Sequence, residues 1–144
     1  MNILISACLC GVCCRYDAKN KNSIDLSLLE GHTLFPVCPE VDGGLPTPRA
    51  PAECVGSYII NNEGTDVTKE YVRGAELALK TALENNCNVA ILKAKSPSCG
   101  KGMIYDGSFS RTLTEGNGVT ADLLIKNGIT VYTEDEIDII KLDI

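Results

Sequence analysis

The sequence predicts an α/β protein of three layers, Rossmann-like, with a mainly parallel sheet and cysteine-bearing loops at the carboxyl ends of the strands. Three observations lead there. Short apolar runs alternate with stretches of helical periodicity, the pattern of βαβ units. Three of those runs pass directly into loops that contain cysteine. The length, 144 residues, suits one core, so residues 1–144 are expected to form a single domain.

Asn2 to Ala7 is a short apolar run that suits a buried strand, and it ends in the glycine-containing, cysteine-rich stretch Cys8 to Asp17. Ser23 is the expected cap of a short helix from Ile24 to Leu29, with Gly31 as its stop. Thr33 to Cys38 reads as a second strand. Pro39 to Pro51 holds four prolines and two glycines and is expected to be a stiff, irregular loop. Gly56 to Asn61 reads as a strand leading into a bend at Asn62-Glu63-Gly64.

Asp66 or Thr68 caps the longest expected helix, Lys69 to Glu84. Its predicted apolar face carries Val72, Ala75, Ala78, Leu79, Ala82 and Leu83. Asn88 to Lys93 is the next strand, bounded by the turn Ser96-Pro97-Ser98-Cys99-Gly100. A short helix from Gly118 to Asn127 stops at Gly128, and Ile129 to Tyr132 is the last strand. In open parallel sheets, ligands sit beyond the carboxyl ends of the strands. The loops after Ala7, Val37 and Lys93 are therefore expected to meet at one edge, bringing Cys8 to Cys14, Cys38 and Cys99 together.

Composition narrows the function. The formal net charge of −6 argues against binding a nucleic-acid polymer, which rests on phosphate neutralisation by Lys and Arg. No run of 18 apolar residues suggests a membrane span. The N-terminus has no basic region ahead of its apolar run, so a cytoplasmic location is expected. In that compartment 8 cysteines point to metal binding or catalysis rather than to disulfides.

Four of those cysteines, Cys8, Cys10, Cys13 and Cys14, lie within seven positions. Cys8 and Cys14 form a C-x5-C spacing, with the C-x2-C of Cys10 and Cys13 inside it. C-x2-C alone also occurs in zinc sites and redox dithiols. Together with Cys38 and Cys99 at strand ends it favours one centre of soft thiolate ligands, zinc or iron–sulfur. Cys54 and Cys87 read first as small buried hydrophobes.

The same loops carry polar groups. Glu40 follows Cys38 by two residues and is a candidate general base or acid. Ser96 and Ser98 flank Pro97 ahead of Cys99, either as proton or hydrogen-bond donors or as turn formers. Arg15, Arg49, Lys93, Lys95 and Lys101 lie in or beside these loops, either to hold an anion or to offset thiolate charge. His32 is the only histidine, which disfavours mixed Cys/His zinc sites and Cys–His catalysis.

Several long, irregular motifs then resemble the family catalogued as domain of unknown function 523. They are Ser6-Ala7-Cys8-Leu9 with Gly11 and Cys14-Arg15-Tyr16-Asp17, Pro36-Val37-Cys38-Pro39-Glu40, Gly43-Gly44-Leu45-Pro46-Thr47-Pro48-Arg49 with Pro51-Ala52-Glu53, Ser96-Pro97-Ser98-Cys99-Gly100, Ile104-Tyr105-Asp106-Gly107 and Gly118-Val119-Thr120-Ala121. One branch of that family, the thiouracil desulfidases, holds a [4Fe-4S] cluster through three cysteines and removes sulfur from a thiolated pyrimidine without net redox.

The resemblance implies that Cys8, Cys14 and Cys99 are the ligands, with one iron open as a Lewis acid. It implies that Glu40 activates water and that Ser96 is its hydroxyl partner. Cys38 is then an additional ligand or a neighbour of the open iron, and Arg15 and Ser98 are expected at a small thiolated substrate. Cys10 and Cys13 depart from the family's usual pattern. Two other readings stand beside this one: a non-catalytic metal or iron–sulfur binding module, and a thiol redox protein using Cys10 and Cys13.

Overall fold

The structure, a computed structural model, describes residues 1–18 and 24–137; Ser23, the expected helix cap, lies outside the described residues. In chain order the elements are β1 (Asn2–Ser6), β2 (Thr33–Val37), α1 (Pro39–Asp42), β3 (Ala52–Val55), β4 (Tyr58–Asn61), α2 (Thr68–Glu84), β5 (Val89–Leu92), β6 (Met103–Tyr105), β7 (Leu113–Glu115), α3 (Val119–Lys126) and β8 (Thr130–Thr133), with 3-10 turns at Ala7–Cys10, Leu26–Leu29 and Glu134–Glu136.

Four strands form a sheet in the order β2-β1-β5-β8, all parallel, with Leu4 opposite Phe35 and Ala90, and Ala90 opposite Val131. Parallel strands covered on both faces read as continuous apolar runs rather than alternating ones. That is why NILIS and VAIL carry no polar–apolar alternation. One face of the sheet, with Leu4, Ala90, Leu92 and Val131, packs on Ala78 and Ala82 of α2 and Ala121 and Leu124 of α3. The other, with Ile3, Ile5, Val89 and Ile91, is covered by Leu9 and Leu29 of the 3-10 turns. Ile3, Leu4, Ile5, Ile91 and Leu92 are fully buried, worth about 1.5–3 kcal/mol each. Pro36 lies in β2, an edge strand, where its missing N–H leaves no ladder bond unmade.

The path from β1 turns to β2 on one side, and β5 then pairs on the other. The chain thus reverses its winding between β1 and β5, which makes their carboxyl ends a topological switch point.

Three local features differ from the sequence expectation. The first is α1, one helical turn inside the loop from Pro39 to Pro51. Cys38 precedes it, Pro39 opens it and Glu40 and Asp42 lie in its first turn, as suits a helix start. Four residues are too few for periodicity to register. The second is β3 and the hairpin β6–β7, whose strands of three or four residues carry little apolar signal, whereas β4 falls within the strand expected from Gly56 to Asn61.

The third is the facing of α2. Val72 and Leu83 are exposed, while Tyr71 and Gly74 are buried. The reason is α1. A methyl group on Gly74 would overlap the Pro39 carbonyl, and one on Gly43 would overlap the Glu70 carbonyl. The two helices therefore touch backbone to backbone, through a side of α2 that apolar periodicity does not mark. Among the described residues, no helix is long and apolar enough to cross a membrane.

Candidate metal centre and active-site cavity

A cavity of about 590 Å³ opens at the carboxyl ends of β1, β2 and β5. Cys8, Cys14, Cys38, Cys99, Glu40, Ser96 and Arg15 all line it. The sheet explains the convergence. Cys8 sits in the 3-10 turn that begins where β1 ends, and Gly11, at φ 97°, closes that turn in the left-handed region that glycine adopts without strain. Cys38 follows β2 directly. Cys99 lies in the turn after β5, whose Lys93 N–H donates to Ser6 Oγ at 2.9 Å and so ties the β5 loop to the end of β1.

The thiols crowd one another. Burial, reinforced by Cys38, pushes the Cys8 thiol up to about 11. Burial pushes Cys99 up to about 12, against hydrogen bonds from Ser6 and Ser98 that favour its thiolate. A hydrogen bond from Cys14 draws Cys38 down to about 7, and the same bond, with burial, pushes Cys14 up. Neutral, half-paired sulfurs in one pocket are what a bound cation would resolve, since ligation takes each thiol as thiolate.

The donor set also discriminates between centres. Among the described residues no three His, Cys, Asp or Glu converge closely enough to hold one metal ion. A tetrahedral zinc site needs all its sulfurs about 2.3 Å from one point. A cluster distributes its thiolates over separate irons, so thiols spread around one cavity wall fit it. Cys8, Cys14 and Cys99 are soft donors, each less than a tenth exposed, and they meet that description.

Ser96 has a defined hydrogen-bonding state. Its Oγ accepts the backbone N–H of Cys99 at 2.6 Å and of Ser98 at 3.1 Å. Two accepted bonds occupy both lone pairs of a hydroxyl, which leaves the O–H hydrogen as the group Ser96 can present to the cavity. Ser96 thus both shapes the turn and retains a proton to donate.

Glu40, in the first turn of α1, is held by Arg49. Arg49 Nε donates to Glu40 Oε2 at 3.1 Å, and Nη2 donates to the same oxygen. The Tyr71 hydroxyl lies beside Glu40 as well, and burial together with that carboxylate pushes the phenol far above its ordinary range. Burial opposes the charge on Arg49, but Glu40 outweighs it and raises the guanidinium above its usual value.

Ser98 does not stand on the cavity wall. It is fully buried, with Oγ 2.8 Å from Thr120 Oγ1 and 3.8 Å from the sulfur of Cys99. The hydroxyl thus lies behind Cys99, turned toward α3. Cys10 is half-buried and Cys13 exposed, and neither lines the cavity. Cys87 is core, as expected. Of the cations, Arg15, Arg49, Lys93 and Lys95 line the cavity, while Lys101 pairs with Glu136 at 3.0 Å. Lys93 pairs with Glu134 at 2.9 Å.

Other wall residues were assigned no role from the sequence, although Glu53 stands in one of the family motifs. Tyr71 reads there only as a helix aromatic. Glu53 is buried, and its Oε1 accepts the N–H of Gly107 at 3.0 Å and of Phe109 at 3.2 Å. It thereby ties the loop between β6 and β7 to β3, and brings Phe109 and Arg111 onto the cavity rim.

Comparison with known proteins places this arrangement in context. The family model described as 2-thiouracil desulfurase matches residues 3–136. An uncharacterized protein of Bacillus subtilis (strain 168), YbbK, is 41% identical over 147 residues, covering 94% of this chain and 97% of that protein. A solved structure of the [4Fe-4S]-dependent thiouracil desulfidase TudS is similar with a TM-score of 0.90 and 43% identity, over 99% of this chain and 96% of that one.

Proposed function

The chain belongs to the 2-thiouracil desulfurase family, and from that premise we propose that it removes sulfur from a small thiolated pyrimidine through a [4Fe-4S] cluster held by Cys8, Cys14 and Cys99. The observation that carries the reading is the cavity at the switch point, which those three thiols line together with Glu40 and Ser96. When bound there, the cluster supplies an open iron, a Lewis acid with affinity for the substrate's sulfur.

The protein's own residues do the rest. Glu40 takes a proton from water, whose oxygen attacks the ring carbon bearing sulfur. The Ser96 hydroxyl donates a proton to sulfur as the C–S bond breaks, the proton that Glu40 took from water returns to Ser96, and the second proton of the water leaves the new C–OH for the departing sulfide. Sulfur leaves as hydrogen sulfide, C=O replaces C=S, and water is the only co-reactant. No electron is gained or lost. Arg15 and Lys95 on the wall favour a substrate that carries negative charge. Cys38 stands beside Cys14 at the entrance to α1, where it would adjoin the cluster without holding it.

The test is sulfide release from 2-thiouracil by anaerobically reconstituted protein. Wild type is expected to release sulfide together with uracil in equal amounts. Glu40→Gln should keep the cluster absorbance and lose roughly 10²–10⁴-fold in rate. Sulfide release that persists in metal-free protein would refute the reading.

A further inference from the structure

The Glu40 carboxylate is clamped from two elements. Arg49 reaches it through Nε and Nη2, and the same Nη2 donates to the Cys14 carbonyl oxygen at 3.0 Å. Arg49 Nη1 is anchored on the Pro46 carbonyl and on Thr47 Oγ1, each at 3.1 Å. The guanidinium is thus a strut between the loop that carries Cys14 and the helix that carries Glu40. From the other side Tyr71, packed with Ile59 and Val67, lines the same cavity as Glu40 and lies beside its carboxylate. The side chains of Arg49 and Glu40 are only 6% and 16% exposed, so water contributes little to holding either.

We propose that Arg49 and Tyr71 are positioning residues for Glu40, and that Arg49 also fixes the distance between the carboxylate and Cys14. This deepens the functional reading above and rests on it. A glutamate on a single helical turn has three rotatable bonds and no packing of its own to choose among them. A planar guanidinium fork donating from two nitrogens, with a second donor from α2, selects one placement. The Arg49 bond to the Cys14 carbonyl makes that placement relative to a cluster ligand, which is the distance the chemistry depends on. Misplacement by about 1 Å can cost on the order of 10²-fold in rate.

A double-mutant cycle on anaerobically reconstituted protein tests this. Tyr71→Phe removes one O–H and keeps the ring, so the fold and the iron content are expected to stay. Its kcat is expected to fall roughly tenfold or more, with KM within about twofold, because one hydrogen bond to a charged group is lost. Placed on Glu40→Gln, Tyr71→Phe should have no further effect, since it acts through the carboxylate. Arg49→Lys keeps the charge but cannot bridge; it should lower kcat and also quicken bleaching of the visible cluster band in air, which Tyr71→Phe should not.

Tyr71→Phe that is silent, or that multiplies with Glu40→Gln, overturns the positioning role while leaving Glu40's role standing. Arg49→Lys with unchanged kcat and bleaching overturns the strut. Glu40→Gln that keeps full kcat overturns the role of Glu40 and the positioning inference with it.

Discussion

Gly74→Ala is the smallest change that should separate activity from stability in this protein. Gly74 is buried in the middle of α2, where the helix touches α1. The new methyl carbon would lie 2.5 Å from the Pro39 carbonyl carbon and 3.0 Å from the Pro39 Cα. Carbon contacts relax near 3.5 Å, and the methyl would also overlap the Pro39 carbonyl oxygen, so α1 has to move by at least about 1 Å. Overpacking of this kind costs roughly 1–3 kcal/mol. Alanine in a helix interior recovers about 1 kcal/mol relative to glycine. The net loss of stability is therefore about 0–2 kcal/mol, a small shift in Tm.

The effect on rate should be much larger. Glu40 rides on α1, while Cys8, Cys14 and Cys99 do not. Displacing Glu40 by about 1 Å should lower kcat by on the order of 10²-fold, with iron content unchanged. Differential scanning calorimetry, iron analysis and steady-state sulfide release on one preparation would show it. Full activity in a folded Gly74→Ala variant would refute the claim that this backbone contact positions the site.

Further outcomes follow from the same geometry. Cys38→Ala should retain about four irons per chain, whereas Cys99→Ala should lose the cluster; iron and acid-labile sulfide assays decide between three ligands and four. Glu53→Gln keeps the size of the side chain but removes the charge that holds the N–H groups of Gly107 and Phe109. It should raise KM several-fold with little change in kcat, and a kcat effect alone would count against a role in binding.

Metal-free protein should lose stability as pH rises above about 9. Cys8 at about 11 and Cys99 at about 12 stand above the ordinary value of 9.0, so above pH 9 the unfolded chain releases protons that the folded chain keeps. Denaturant midpoints should rise between about pH 7 and 9, where Cys38 ionises in the folded chain ahead of the unfolded one, and fall from about 9 to 12; a midpoint that rises above pH 9 would contradict the burial of Cys8 and Cys99. In the same metal-free protein Cys38, drawn down to about 7, should alkylate first among the four cavity cysteines, as read by peptide mass mapping.

The parallel sheet and its cysteine loops were legible in the sequence because each depends on local pattern. The runs at Asn2, Thr33 and Asn88 are short, apolar and flanked by turn residues, and Cys8, Cys38 and Cys99 follow them by few residues. Once the runs are parallel, the chemistry falls at one edge without further information.

The clamp on Glu40 was not legible, because it is made of tertiary contacts. Tyr71 sits on α2 with the period of any buried helix residue, and Gly74 looks like a defect in that helix until α1 is placed against it. Ser98 was hidden for a different reason. Its neighbours in the motif face the cavity, yet the turn through Pro97 sends its hydroxyl to Thr120. Periodicity assigned Val72 and Leu83 to the core, yet both face solvent, while α1 packs on α2 at Gly74, a position that carries no apolar side chain to mark it.

The most direct test of the central claim is the iron and sulfide content of the anaerobically reconstituted wild type, set beside Cys8→Ala, Cys14→Ala and Cys99→Ala and read with the visible absorbance. About four irons and four sulfides per wild-type chain are expected, with the cluster band absent from all three variants. One zinc or no metal in the wild type, or a full cluster surviving any of the three substitutions, would contradict it.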